Sequence, residues 1–316
     1  MTKARKSLSS LFLNRPSGAE LAHMKKLEAL HKAGQGRPFF VDDDNLRMMY
    51  LNPKCMQSAM KLDAPDELVC AYSRAVMGFL LFHPRPAHIL LIGLGGGSLV
   101  KYCLRHLPDC RITVLEINAD VIAMREQFAL PPDSERLRVI HCDAIRHLQE
   151  ERYQADVLLL DAYDEQGLVA ELNTAEFYAT CHNNLTSGGV MVANVWGKPS
   201  ALAVMLSRLR RQYTGQVCWA RSVDSYNLIV YALKTGLPTP LEQLLHKTAS
   251  QLAPSYPELD LHTLQDSLLS LPVHQQFATP DDELQAIRHS LAGIMVADSR
   301  VPQTYADWKK LVQKNI

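Results

Sequence analysis

The chain has 316 residues, 47% of them hydrophobic, with Lys plus Arg and Asp plus Glu both counting 33. That length and apolar content suffice for one large core with smaller appendages. The balanced charge excludes a global field that would draw the protein to nucleic acid or to an anionic membrane.

In chain order, residues 1–36 read as an arm. Its stretch Leu8 to Leu13 is broken by two serines and ended by an asparagine, and does not read as a signal peptide. No run approaches the roughly 20 apolar residues of a membrane span. A short helix is expected around Ala19 to Lys32, stopped by Gly34-Gln35-Gly36 and Pro38. Residues 37–64 alternate apolar and polar positions around an Asp-Asp-Asp-Asn turn, which predicts a β-hairpin. From 65 to 82 apolar side chains recur at helical spacing (Leu68, Tyr72, Ala75, Val76, Phe79, Leu80) and stop before Pro84.

The block 65–236 then repeats a strand-and-helix rhythm. Its strands are nearly continuous apolar runs, as required when helices cover both faces of a parallel sheet: 88-HILLIG, 111-RITVLEI, 137-LRVIHC, 156-DVLLLDA and 189-GVMVANVW. Helices are expected near 98–107, 119–127, 143–150 and 174–185. The runs 216-QVCWARSV and 226-YNLIVYALK, separated by Asp224-Ser225, predict an antiparallel pair that closes one edge. The fold class is therefore α/β, a doubly wound, seven-stranded, mostly parallel sheet. Residues 237–316 read as an amphipathic helical extension, Leu-rich at 241–252 and 261–271, that serves as lid, cap or dimer surface.

The strongest chemical signal is IGLGGGSLVKYCL, where a buried strand enters Gly93-Leu94-Gly95-Gly96-Gly97 and then a helix. Glycines suit a turn that is tight and that a ligand must approach at the backbone. The second strand ends in Glu116, where an acid of a nucleotide-binding α/β fold reaches ribose hydroxyls. The third ends in Asp143, which also stands where it caps the helix AIRHL, and the fourth ends in Asp161. Four strand ends thus set a glycine turn and three acids on the rim where ligands bind in open α/β sheets.

Seven cysteines (Cys55, Cys70, Cys103, Cys110, Cys142, Cys181, Cys218) form no Cys-x-x-Cys pair and read as reduced, mostly buried thiols in a cytoplasm. The histidines His83, His88, His106, His141, His147 and His182 show no metal-ligand spacing, so no metal is assigned. Arg208-Leu209-Arg210-Arg211 reads as a solvated helix face, and Trp196 and Tyr226 as core residues that could also reach a pocket rim.

The segments IGLGGGSL, LEIN, CDAIRHL, LLLDAYDE and NTAEFY resemble spermidine synthases and their methyltransferase-like relatives over roughly residues 37 to 235. The resemblance implies a Rossmann-like methyltransferase fold that binds S-adenosylmethionine or its decarboxylated form as co-substrate. It implies that the glycine turn (Gly93, Gly95, Gly96, Gly97), Gln57, Glu116 through the ribose, and Asp143 with Ala144 at the adenine hold that donor. It further implies that Asp161 deprotonates an acceptor amine, that Asp164 holds the acceptor's far ammonium and that Tyr72 lines its pocket. Three positions depart from the spermidine synthase pattern. Gly96 replaces an aspartate that pairs with the donor's amino group, Ser73 replaces a glutamine, and Tyr163-Asp164-Glu165 replaces a Ser-Asp-Pro segment.

The leading expectation is aminopropyl transfer to a polyamine or similar amine. Methyl transfer to a small amine, a peptide or a protein amine is the alternative that Gly96 favours, since a glycine tolerates the carboxylate of the intact donor. A non-catalytic cofactor-binding protein is the third, against which the retained acids argue. A homodimer fits the family precedent and the Leu-rich flanks.

Overall fold

The computed structural model describes residues 18–164, 167–235, 241–273, 275–296, 298, 300–302 and 304–314. Residues 1–17 of the expected N-terminal arm and the start of the C-terminal extension lie outside the described residues, as does Glu165.

Helix α1 (Gly18–Ala33) precedes three strands, β1 (Phe39–Asp43), β2 (Leu46–Asn52) and β3 (Cys55–Lys61), which form a three-stranded antiparallel sheet. The expected hairpin is thus one strand short. Asp44, at φ 52°, makes the first turn. The second lies at Asn52-Pro53-Lys54, where the Asn52 side chain accepts from the Lys54 N–H at 2.8 Å, an Asx turn inside what reads as one continuous strand.

Helix α2 (Ala71–Val76) passes into a tighter 3-10 turn at Met77–Leu81, so the helix expected over 65–82 is shorter and changes pitch. Two contacts explain this. The Tyr231 hydroxyl donates to the Ala75 carbonyl at 2.5 Å, and a Cβ on Gly78 would stand 2.4 Å from Leu264 Cδ2 and 2.5 Å from Tyr231 Oη. The backbone is pressed into place by a strand far along the chain.

The central elements follow as β4 (His88–Ile92), α3 (Ser98–His106), β5 (Arg111–Glu116), α4 (Ala119–Ala123), β6 (Leu137–His141), α5 (Ala144–Glu150) and β7 (Ala155–Leu160). After a two-residue ribbon, β8 (Tyr163–Asp164) with β9 (Gly167–Leu168), come α6 (Ala175–Asn183), β10 (Leu185–Val195), α7 (Pro199–Gln212), β11 (Val217–Arg221) and β12 (Leu228–Leu233). The extension holds α8 (Leu241–Leu252), α9 (Leu261–Ser267), β13 (Leu269–Ser270), α10 (Pro280–Ile294) and α11 (Tyr305–Lys314).

All seven expected strands join one sheet of order β13-β11-β12-β10-β7-β4-β5-β6. The eighth is β13, a two-residue addition beyond β11 where the Leu-rich segment stops being helical. Pairs from β6 through β10 are parallel, and those from β10 outward are antiparallel. Strands β4 and β12 are buried along their whole length, because apolar clusters cover both faces. One consequence governs the site. The C-terminal ends of β4, β5, β6, β7 and β10, and the loop leaving β11, share one rim.

The helical extension is woven into the fold rather than set to one side. Leu245, Ala249, Leu261 and Leu264 of α8 and α9 enter the core on one face, and Ile287 and Leu291 of α10 enter the other. Helix α11 returns to the first sheet, where Tyr305 donates to Asp43 at 2.7 Å and Lys309 pairs with Asp43 at 2.8 Å and Asp44 at 2.6 Å. No helix among the described residues is long and apolar enough to cross a membrane.

Of the arginine cluster on α7, only Arg211 stands on a solvated face. Arg208 donates to the Asn173 carbonyl, and Arg210 is buried with its guanidinium 3.2 Å from Glu283 of α10, which also accepts from Ser207 at 2.7 Å. Breaking a buried pair strands its partner's charge. A Glu283→Ala variant is expected to lose about 3 kcal/mol or more of unfolding free energy in a denaturant titration.

Candidate active site

The rim opens into a cleft of about 1520 Å³ lined by residues from the first sheet, the strand ends and the C-terminal tail. Its floor is the glycine turn. Gly93 has φ +94°, and a Cβ there would stand 2.3 Å from the Asp161 carbonyl oxygen. Gly95 and Gly97 also have positive φ, and Gly97 forms the N-cap of α3. These are backbone shapes that side chains resist.

Gly96 is a glycine for another reason. Its φ is ordinary, but a Cβ would meet Phe128 Cδ1 and Ser58 Oγ, each at 2.7 Å. Ser58 belongs to β3, so the first sheet presses directly on the turn. Phe128 is held from behind by buried Lys101, whose ammonium donates to the Phe128 carbonyl at 2.6 Å. Burial pulls that lysine down to about 8. The position where spermidine synthases carry an aspartate is therefore closed by packing as well as vacant of charge. Ser58 and Ser98, 3.4 Å apart, offer hydroxyls beside it.

Glu116 is buried at the end of β5. One carboxylate oxygen accepts from the Leu94 N–H at 2.7 Å and the other from the Asn118 N–H at 2.8 Å. Burial raises its pKa, and these N–H groups oppose that rise. The partner that a buried carboxylate needs is thus the backbone of the turn itself. A carboxylate has about four lone-pair sites, so capacity remains for hydroxyl donors from a ligand.

Asp143 ends the next strand and caps α5, its side chain accepting from the Ile145 N–H at 2.9 Å. The cap and the cleft position coexist. Ala144, Cys142 and Ile145 border the cleft beside it.

Asp161 stands at the end of β7 in the middle of the rim. Its carboxylate accepts from the Asn194 amide at 2.8 Å, and Asn194 in turn accepts from the Asn227 amide at 2.9 Å. Burial pushes its carboxyl up to about 6, with the Asn194 amide pulling the other way. Tyr72, on α2, lines the same part of the cleft, and its phenol is raised well above the usual value, first by burial and then by the Asp161 charge. Gln57 on β3 faces the cleft and donates to Cys55 Sγ at 3.6 Å. Asp164 has its backbone in β8, paired with Gly167; its side chain lies outside the described residues.

Every other predicted site residue borders this cleft except Gly96 and Gly97, which shape the turn from behind. Trp196 and Tyr226, read as core residues, stand on the cleft wall. Asn194, Asn227 and Asp224 escaped the sequence reading. Asn194 left a trace, a lone amide inside the apolar run VMVANVW; Asp224 left none beyond a turn signal. Histidines are absorbed by structure: His88 meets Thr113 Oγ1 at 2.9 Å and His147 the Tyr153 hydroxyl at 2.8 Å.

Comparison with known proteins gives the following. The spermine/spermidine synthase domain profile matches residues 69–227. The polyamine aminopropyltransferase of Neisseria meningitidis serogroup A (strain Z2491) is 36% identical over 225 residues, covering 71% of this chain and 85% of that protein. A probable spermidine synthase from Corynebacterium glutamicum superimposes with a TM-score of 0.58 at 17% identity, over 71% of this chain and 90% of that one. Human methyltransferase-like protein 13, solved with SAH, superimposes with a TM-score of 0.52 at 23% identity, over 60% and 93% respectively. Both structural likenesses concern the fold.

The packing around Gly96 is open to test. Gly96→Ala is expected to cost about 1–3 kcal/mol of stability through overpacking. In a double-mutant cycle with Phe128→Leu, the paired loss should fall short of the sum by about 0.5 kcal/mol or more.

Proposed function

The chain belongs to the spermine/spermidine synthase family, and from that premise we propose that it moves an aminopropyl group from decarboxylated S-adenosylmethionine to a polyamine or similar amine. The observation that carries the proposal is Asp161, a half-buried carboxylate between the glycine turn and Tyr72, oriented by Asn194 and free of any cationic partner among the described residues.

On this reading the donor lies on the side of β4, β5 and β6. Gly93 and Gly95 let it approach the backbone, Glu116 takes the ribose hydroxyls, Asp143 and Ala144 meet the adenine, and Gln57 closes from β3. The acceptor lies on the side of Tyr72, with Asp164 toward its far end. The free thiols of the cysteines fit a cytoplasmic setting.

Alkylation at nitrogen needs a lone pair, yet a free alkyl amine is protonated near neutral pH. Asp161 holds the ammonium in line with the propyl carbon and takes its proton as nitrogen attacks. The new carbon–nitrogen bond forms as the carbon–sulfur bond breaks. The sulfonium leaves as neutral methylthioadenosine, and the product amine retains the positive charge.

A base must be ionised before it can accept a proton. The acid limb of kcat/KM is expected near about pH 6, with activity rising as pH increases through it. Asp161→Asn should lower turnover roughly 100-fold or more while donor binding persists. The linkage has the opposite sign for stability. A carboxyl raised in the folded state makes the native fold the tighter proton binder, so its ionisation costs stability as pH rises from the ordinary carboxylate range through about 6. Thermal unfolding of Asp161→Asn at neutral pH should therefore occur no lower than in the parent, and the difference should close in acid.

Methyl transfer from intact S-adenosylmethionine is the second reading, favoured by Gly96: no carboxylate there repels the donor's carboxylate or pairs with its ammonium. Calorimetry with both donors separates the two. Tighter binding of the decarboxylated form is expected, and tighter binding of the intact form would overturn aminopropyl transfer.

A further inference from the structure

We infer that Ser58, acting with Ser98, is the position at which this chain reads the head group of its donor: the amine that both donor forms carry and the carboxylate that one of them adds. The inference deepens the reading of a sulfonium donor held over the glycine turn and rests on it for where that donor lies.

Position 58 reaches the cleft through an irregularity of β3. Met49 pairs with Ser58 and Tyr50 with Met56, so Gln57 is one residue too many for the partner strand, a β-bulge. Successive side chains of a regular strand point to opposite faces. Here Gln57 and Ser58 both border the cleft, together with Ser98, the first residue of α3. With Glu116 at the ribose, the part of the turn that faces β3 is left for the donor atoms beyond the sulfur.

The Ser58 hydroxyl occupies the space that a side chain at position 96 would need. A Cβ on Gly96 would meet Ser58 Oγ at 2.7 Å and the Phe128 ring at 2.7 and 3.1 Å. An acid has no room to enter this corner from the turn, whereas a side chain growing from position 58 already points into it. What the corner holds is neutral. The two hydroxyls stand 3.4 Å apart, Ser98 Oγ lies 3.5 Å from the Ala59 carbonyl, and neither meets a carboxylate among the described residues. Glu116 spends an oxygen each on the Leu94 and Asn118 N–H groups. Of the cations, buried Lys101 lies on the far side of Phe128, donating to its carbonyl at 2.6 Å and to Met60 Sδ at 3.0 Å, and Lys54 borders the cleft from the turn before β3.

A corner of this kind neither repels the carboxylate of intact S-adenosylmethionine nor offers a charge to the ammonium. A hydroxyl accepts from the one and donates to the other. The fixed cation behind Phe128 offsets, rather than reinforces, a preference for the donor without a carboxylate. Charge at this corner is therefore what would separate the two donors, and position 58 is where the fold has room to supply it.

The test is calorimetric titration of the decarboxylated donor, of intact S-adenosylmethionine and of methylthioadenosine, which lacks the head group, into the full chain. Parent, Ser58→Ala and Ser58→Asp are compared, and methylthioadenosine binding held within about threefold reports an intact fold. The parent is expected to separate the two donors by no more than about tenfold. Ser58→Ala should weaken both donors about threefold or more. Ser58→Asp should move their affinity ratio about tenfold or more toward the decarboxylated form, since its carboxylate pairs with the ammonium and repels the carboxylate. Ser98→Asp, an acid in the first turn of α3, should move it the same way, and decides the matter where Ser58→Asp loses methylthioadenosine. Three results would each overturn the inference: a parent that separates the donors by more than about tenfold, donors unweakened by Ser58→Ala, or an acid variant that binds methylthioadenosine yet shifts the ratio by less than about tenfold. A parent that favours the intact donor refutes aminopropyl transfer instead, and the shift at position 58 is still read from the same titrations.

Discussion

The contact between Gly93 and the backbone of Asp161 is the constraint on which the rest of the site depends. Strands β4 and β7 are neighbours at the centre of the sheet, with Ile92 beside Leu160. Where they end, the chain leaving β4 turns back across the carbonyl of Asp161, and only a residue without Cβ passes at that distance. The turn then has to climb through Gly95 and Gly97 into α3, and Glu116 locks it by accepting from the Leu94 N–H. A donor bound over this turn is thereby brought beside Asp161 by backbone geometry alone. Proximity of this kind, fixed before any ligand arrives, is what converts a bimolecular alkylation into an oriented one.

Two carboxylates at the ends of β5 and β7, one on each side of β4, are tuned apart by their surroundings. Glu116 is the more enclosed, yet its charge is met by backbone N–H groups on both oxygens. Among the described residues Asp161 receives one amide hydrogen bond and no cation, and burial raises it to about 6. Environments that separate like groups in this way separate their roles. A carboxylate held by several N–H groups is a fixed acceptor for hydroxyls. A carboxylate with spare capacity and a raised pKa can pick up a proton and release it near neutral pH, which is what the proposed base must do.

The parts of the fold legible in the sequence are those whose causes are local. Strands β4, β7 and β12 stand out because both faces are covered and polar residues fall only near their starts (His88, Asp156) or as the lone Tyr231. The glycine turn and the acids after β5, β6 and β7 stand out because each sits at a strand end. What escaped is decided by residues far away in the chain. The early end of α2 depends on Tyr231, whose hydroxyl takes the Ala75 carbonyl; Arg210 is buried because Glu283 reaches it from α10; Asp224 matters because it accepts from Ala71. Gly96 is the instructive case. Read alone, it is a missing aspartate and so a statement about the donor. In the fold it is also a packing requirement imposed by Ser58 and Phe128, two residues that no local pattern connects to it. The second turn of the first sheet was missed for the opposite reason: the signal at Asn52-Pro53 was present but embedded in an alternating run.

The C-terminal tail reaches the cleft from two directions, against the first sheet and beside the loop that leaves β11. Met295 and Trp308 both border the cleft, and α11 is tied to β1 through Asp43 and Asp44. Asp298 binds Arg221 at the very end of β11, so the loop 222–227 begins at an anchored residue and is held again at Asp224. Under the proposed reaction the donor contacts come from β3 to β6 and their turns. The strand order itself then separates the two substrates of that reaction: Asp161 ends a central strand, with the glycine turn and Glu116 to one side of it and β10, β12 and β11 to the other.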